Sequence, residues 1–141
     1  ADIFAKNIFK GDVILFYGEI GVGKTTFIKS LVNSLEKIEK KNISEITSPT
    51  FSLMNQYKLN KFDIHHYDLY RLKSEKDILS LNIFEDISDK IVLIEWPEIL
   101  GEHKPRNTID INFEYGENFN SRYLTISAYE KLKIFDEFKS L

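Results

Sequence analysis

Apolar residues recur along this chain with two periods, and the change from one to the other sets the order of its elements. Val13-Ile14-Leu15-Phe16-Tyr17 is a continuous apolar run, the pattern of a strand covered on both faces of a sheet. Glycines follow at once. Phe27, Ile28, Leu31, Val32, Leu35 and Ile38 then recur at helical spacing and predict a helix from about Lys24 to Lys40 with one buried stripe. From Phe51 to Leu59 the alternation suits a half-buried strand, and Phe62 to Leu69 reads as its hairpin partner across the short link Asn60-Lys61. Ser74 and Asp77 have the spacing of an N-cap and its reciprocal acid, opening a helix that carries Ile78, Leu79 and Leu81. Ile91-Val92-Leu93-Ile94 is a second fully apolar strand, closed by Glu95 and stopped by Trp96-Pro97. Two alternating strands near Thr108–Tyr115 and Tyr123–Tyr129 flank a turn at Gly116–Asn120, and a short amphipathic helix is predicted to end the chain. Elements that alternate early and pair late predict an α/β fold with a mixed sheet.

At 141 residues, with no internal repeat, low-complexity tract or Pro/Gly/Ser-rich linker, residues 1–141 read as a single domain. Hydrophobic residues at 43% and charged residues at 29% suit a folded chain rather than a disordered one. The longest uncharged apolar stretch, Val13 to Gly18, falls far short of the ~18–20 residues of a membrane span. No basic and apolar leader opens the sequence, so no membrane partner and a cytoplasmic setting are expected. Lack of cysteine excludes disulfides, thiolate metal sites and a cysteine nucleophile. A net charge of −3 argues against an autonomous nucleic-acid binder. The Lys37, Lys40, Lys41 cluster, interleaved with Glu36 and Glu39, reads as a solvated helix face.

Gly18-Glu19-Ile20-Gly21-Val22-Gly23-Lys24-Thr25 matches the pattern G-x-x-x-x-G-K-[ST] in full, between an apolar strand and an amphipathic helix as that motif requires. Glycines let the backbone wrap an anion, and the N–H groups with the helix N-terminus supply the positive potential. The loop is therefore assigned to a nucleotide, through Gly18, Glu19, Gly21, Val22, Gly23, Lys24, Thr25 and Thr26. Lys24 is placed at the β- and γ-phosphates, and the Thr25 hydroxyl at Mg²⁺.

A Mg²⁺ ion held by one hydroxyl needs an acid at the end of a neighbouring buried strand. Glu95 closes such a strand, in the layout of a Walker B segment with Glu for the commoner Asp. Asp68 ends another strand beside His65, His66 and Arg71; spacing alone suits a water- or metal-directing carboxylate and a turn-capping one equally. His65 and His66 point to opposite faces of that strand and read as structural or surface residues. Ser48-Pro49-Thr50-Phe51 is a stiff turn with two hydroxyls, able to order around a γ-phosphate.

Together and in this order, these segments resemble the TsaE family, small P-loop ATPases of bacterial tRNA threonylcarbamoyladenosine synthesis. The carrying residues are Gly18 to Thr26, Ser48-Pro49-Thr50-Phe51 with Asn55-Gln56-Tyr57, Tyr67-Asp68-Leu69-Tyr70-Arg71-Leu72, and Ile94-Glu95-Trp96-Pro97-Glu98. They cover about Gly11 to Glu98, and Arg122 lies in a strand similar to the family's closing one. Gln56 departs from the family's more usual Glu and removes a carboxylate from the switch region. The family's N-terminal segment is read as largely absent, and no residue is assigned to adenine.

The resemblance implies a P-loop core with a mostly parallel sheet and antiparallel edge strands. It implies ATP and Mg²⁺ as cofactors, with Thr25 and Glu95 sharing the metal, Thr50 in a switch-like segment, Asp68 needed for hydrolysis and Trp96 beside the metal site. It also implies ATP hydrolysis in the presence of a TsaB–TsaD pair, with tRNA met only through that complex, which suits the acidic charge. A small P-loop kinase is the alternative, but a phosphate-covering lid usually carries arginines, and the three here (Arg71, Arg106, Arg122) are scattered singly. For a GTPase switch, no strand followed by Asp-x-x-Gly is present.

Overall fold

A computed structural model of the chain describes residues 1–118 and 120–128. Six strands form one sheet: β1 (Val13–Tyr17), β2 (Met54–Lys58), β3 (Asp63–Asp68), β4 (Lys90–Glu95), β5 (Thr108–Tyr115) and β6 (Arg122–Ala128), in the order β2-β3-β4-β1-β5-β6. The four inner strands run parallel, while β2 and β6 pair antiparallel at the edges. Three helices, α1 (Asp2–Lys6), α2 (Lys24–Ile38) and α3 (Glu75–Ser80), accompany 3₁₀ segments at Ile87–Asp89 and Pro97–His103. This is a P-loop α/β fold: a mixed, mostly parallel sheet flanked by helices with antiparallel edge strands.

Strand alternation divides the core into two layers. Ile14, Phe16, Ile91, Leu93, Ile109 and Ile111 face α1 and α2. Val13, Leu15, Val92 and Ile94 face the opposite way, toward α3 and Leu100 of the second 3₁₀ segment. Because both faces are covered, the inner strands read as unbroken apolar runs. On the α2 side Phe4, Phe16, Phe27 and Phe113 form an aromatic cluster with centroids 5.8–6.3 Å apart. Such pairs contribute about 0.5–1.5 kcal/mol each beyond burial.

Several sequence expectations are corrected. Helix α1 was not predicted, because five residues are too few for a period. It is anchored by Phe4 in the aromatic cluster and by the Ser34 hydroxyl donating to Asp2 (2.5 Å). Strand β2 starts at Met54 rather than Phe51: a turn closed by Leu53 N–H to Pro49 O precedes it, with Leu53 at φ 69° and Phe51 87% exposed. Helix α2 stops at Ile38, short of the predicted Lys40, and Ile38, predicted in the buried stripe, is exposed.

Glu36 is buried, not solvated, and accepts from Ser44 N–H (3.2 Å) and hydroxyl (2.5 Å). Glu39 accepts from the backbone N–H groups of Asn60 and Lys61, so a weak turn sequence is held by a helix-end carboxylate. Lys37 and Lys40 are exposed as expected. The Ser74 cap forms, its side chain accepting from Asp77 N–H. The predicted closing helix and Tyr129 lie outside the described residues. Among those described, no helix is long and apolar enough to cross a membrane.

Candidate functional site

The parallel strands β1, β3 and β4 deliver their C-terminal residues to one end of the sheet, where open α/β sheets place their ligand crevices. Tyr17 leads into Gly18, Asp68 ends β3, and Glu95 ends β4 as the register partner of Asp68. A cleft of about 330 Å³ opens there, between the Ile20–Thr26 loop, the Ser48–Thr50 turn and the Tyr70–Trp96 wall.

The loop backbone requires its glycines. Gly18 has φ 145°, and a Cβ there would lie 2.8 Å from Val22 Cγ1 and 2.9 Å from Phe113 O. Gly23 has φ 111° and precedes α2 without any capping side chain, and no acidic residue stands in the helix's first turn. The uncapped N-terminus thus keeps its donors and its positive end available to an anion. Val22 turns its side chain into the core and anchors the loop, while Glu19 is exposed and accepts Val22 N–H through its carbonyl (3.2 Å). Behind the loop, Arg122 Nε donates to Val22 O (3.2 Å) and its guanidinium lies 4.3 Å from the Tyr115 ring centre.

Lys24 is buried and folded back. Its ammonium donates to Gly18 O (2.5 Å) and sits 3.4 Å from the centre of the Trp96 ring. Burial pushes its pKa below the ordinary lysine value, while Glu95, Glu98 and Asp68 pull it back up. Thr25 Oγ1 donates to Glu95 Oε1 (2.8 Å), and Thr26 is exposed on the cleft wall. Trp96 takes φ 57° at the end of β4, packs 4.9 Å from the Tyr70 ring and lines the cleft with Glu95.

Asp68 is the hub of the opposite wall. Its Oδ2 accepts from the hydroxyls of Ser48 (3.0 Å) and Thr50 (2.9 Å), and Oδ1 accepts from Tyr70 N–H (3.0 Å). Of the two readings that spacing left open, the turn-capping one is seen in the Tyr70 bond, and the carboxylate also clasps the Ser48–Thr50 segment. Every predicted catalytic and metal residue (Lys24, Thr50, Asp68, Thr25, Glu95) therefore meets at one cleft.

Two positions differ from expectation. His66, read as structural or surface, is not at the surface: it is wholly buried with Nε2 2.8 Å from Glu95 Oε2, at the end of β4. The signal was available in alternation: His66 and Asp68 are two apart on β3 and share a face. Gln56 is exposed on β2 and donates to Asp63 (3.0 Å), so its change from Glu alters the outer hairpin and not the cleft.

The family model for threonylcarbamoyl adenosine biosynthesis protein TsaE matches residues 1–124. The chain belongs to the TsaE family. The match includes α1. A tRNA threonylcarbamoyladenosine biosynthesis protein TsaE from Rickettsia prowazekii is 37% identical over 126 residues, covering 89% of this chain and 84% of that protein. A TsaE from a Nostoc species is 36% identical over 132 residues, with coverages of 90% and 76%. The crystal structure of Bacillus subtilis YdiB has the same fold, with a TM-score of 0.71 at 20% identity over 99% of this chain and 84% of that one. TsaE membership links the chain to the biosynthesis of a modified tRNA nucleoside.

Proposed function

We propose that the chain is a Mg²⁺-dependent ATPase that supports tRNA threonylcarbamoyladenosine formation by hydrolysing ATP when engaged with a TsaB–TsaD complex. The observation that carries this reading is the convergence on one cleft of a glycine loop with an uncapped helix, a buried lysine, a Thr25–Glu95 pair and an Asp68–Thr50 clasp.

The donor set fits a hard cation. Thr25 and Glu95 offer hydroxyl and carboxylate oxygens, and among the described residues no group of three or more acids, histidines or cysteines could cage a metal. Mg²⁺ is commonly held by one or two carboxylates with phosphates and water completing its shell. Thr25 and Glu95 would hold the ion; when bound, it supplies charge neutralisation at the phosphate oxygens. The Thr25 O–H rests on Glu95, which leaves the hydroxyl lone pairs available.

The chain's own work is positioning and charge. The loop N–H groups bind the phosphates. Lys24 leaves Gly18 O and the Trp96 ring to reach the phosphates, exchanging one carbonyl for full anions. Asp68, freed from part of its hydroxyl clasp, orients the attacking water, and Thr50 turns toward the γ-phosphate. Exposed Ile20 and Tyr70 line the cleft and exposed Phe51 follows Thr50 in its wall, apolar surface suited to a protein partner that closes over it. With a net charge of −3, the chain meets tRNA through that partner rather than directly.

Phosphate release from Mg·ATP, measured for the protein alone and with its cognate TsaB–TsaD pair, tests the reading. A low basal rate that the pair strongly raises supports it. A rate the pair leaves unchanged removes the partner, and labelled phosphate appearing on a small-molecule acceptor instead of in water makes the chain a kinase.

A further inference from the structure

Glu95 is the one acid at the end of β4, and each of its oxygens has a hydrogen-bond partner: Thr25 on Oε1 and His66 Nε2 on Oε2, both at 2.8 Å. Thr25 comes from the phosphate loop's helix and His66 from the neighbouring strand. The register of β3 and β4 pairs Asp68 with Glu95 and His66 with Leu93, so His66 reaches the carboxylate along the diagonal, on the face it shares with Asp68.

Within the TsaE-type Mg·ATP reading above, on which this inference rests, we propose that His66 is a positioning residue that locks the Glu95 carboxylate for the cation held with Thr25. The ring's second nitrogen, Nδ1, is buried with no hydrogen-bond partner among the described residues. A proton on Nδ1 would have no acceptor, so the network assigns the tautomer with the hydrogen on Nε2, donated to Glu95. An imidazole whose role was packing alone would leave that buried nitrogen at a cost of about 1–3 kcal/mol with nothing in return, where leucine would fill the space without it. What offsets the cost is the Nε2–H bond to a carboxylate, a charge-assisted contact. With Oε2 fixed, the carboxylate cannot rotate, and Oε1 stays with Thr25 at the cleft. Outer partners of metal-ligating carboxylates act this way, and losing one typically lowers metal affinity 10–100-fold.

The test is calorimetric titration of ATP into the wild type, His66→Ala and His66→Gln, each with Mg²⁺ and with EDTA, alongside thermal unfolding of each protein. The expected result is that His66→Ala loses about 10–100-fold of the affinity that Mg²⁺ adds, with its EDTA affinity unchanged. His66→Gln, whose side-chain amide can donate to Glu95, recovers most of the gain. If the alanine variant does not fold, His66→Leu against His66→Gln makes the same comparison. The inference is overturned if the alanine or leucine variant keeps the full Mg²⁺ gain, or if the glutamine variant folds stably yet loses as much. A wild type whose ATP affinity ignores Mg²⁺ overturns the metal reading itself, an outcome distinct from a variant that behaves like the wild type.

Discussion

Asp68→Asn separates the structural from the chemical work of the hub carboxylate. Asparagine keeps the size and one oxygen for Tyr70 N–H, but places an amide where Oδ2 accepts from Ser48 and Thr50. Hydrogen bonds to a charged group contribute about 1.5–3 kcal/mol each, and neutral ones roughly half as much. Two such exchanges would cost about 2 kcal/mol. Ser48 is exposed and Thr50 half-buried, so water recovers part, leaving a loss of about 1–2 kcal/mol. For a chain of this length that lowers Tm by roughly 3–6 °C. The loss falls on the turn, so the Leu53 N–H, bonded to Pro49 O, should exchange with solvent faster while the β4 amides do not. ATP affinity should stay within about threefold, because the phosphate loop is untouched, while phosphate release falls by about 100-fold or more. Turnover at the wild-type rate would remove Asp68 from the chemistry. Lost binding, with turnover following occupancy, would make it a binding or structural residue.

Three further outcomes follow from the same geometry. Lys24→Ala should abolish detectable ATP binding in titration with little change in Tm, because the lost contacts to Gly18 O and Trp96 are offset by unburying an ammonium; normal turnover would refute the site. Gly18→Ala should destabilise more than Gly23→Ala in urea unfolding, since only Gly18 combines a positive φ with backbone 2.9 Å from the new Cβ; Gly23 carries the backbone strain alone, about 1–2 kcal/mol. The Lys104 ammonium donates to Asp110 (2.6 Å), and that bond raises its pKa above the ordinary 10.5. The pair therefore stabilises fully below the ordinary value and loses its contribution as pH rises through the folded one, so alkaline unfolding of Lys104→Gln should lack a component of about 0.5 kcal/mol or less, Lys104 being partly exposed.

How much of this was legible follows from the length of each pattern. The inner strands and α2 could be read because burial on both faces, or one stripe, leaves long unbroken signals: Val13 to Tyr17, Ile91 to Ile94, Phe27 to Leu35. The phosphate loop could be read because Gly18, Gly21 and Gly23 all have positive φ, which only glycine adopts freely. Helix α1 could not, being held by Phe4 and Asp2 against residues of α2 distant in sequence. Turn 50–52 looked like strand because Phe51 and Leu53 alternate correctly; what diverts it is Asp68, eighteen residues on, holding Thr50. His66 was read as structural or surface because alternation places it on the face of Asp68 but says nothing of Glu95 until register sets the two on a diagonal.

That register also explains which parts of the site are fixed and which can move. Asp68 and Glu95 are partners on adjacent parallel strands inside a sheet covered on both faces. A one-residue slip of β3 would turn Ile64, His66 and Asp68 away from α2 together, carrying two polar side chains into the opposite apolar layer and stranding Glu95 Oε2. The two carboxylates are therefore held as firmly as the sheet itself. What remains free is a lysine ammonium resting on one carbonyl and one ring, and a turn held by two hydroxyl bonds. In the proposed ATPase those are the groups that must rearrange around phosphate, and each is held by bonds of a few kcal/mol at most. A partner that presses on exposed Phe51 or Tyr70 acts on the neighbours of Thr50 and Trp96. It could therefore shift both groups without disturbing the acids.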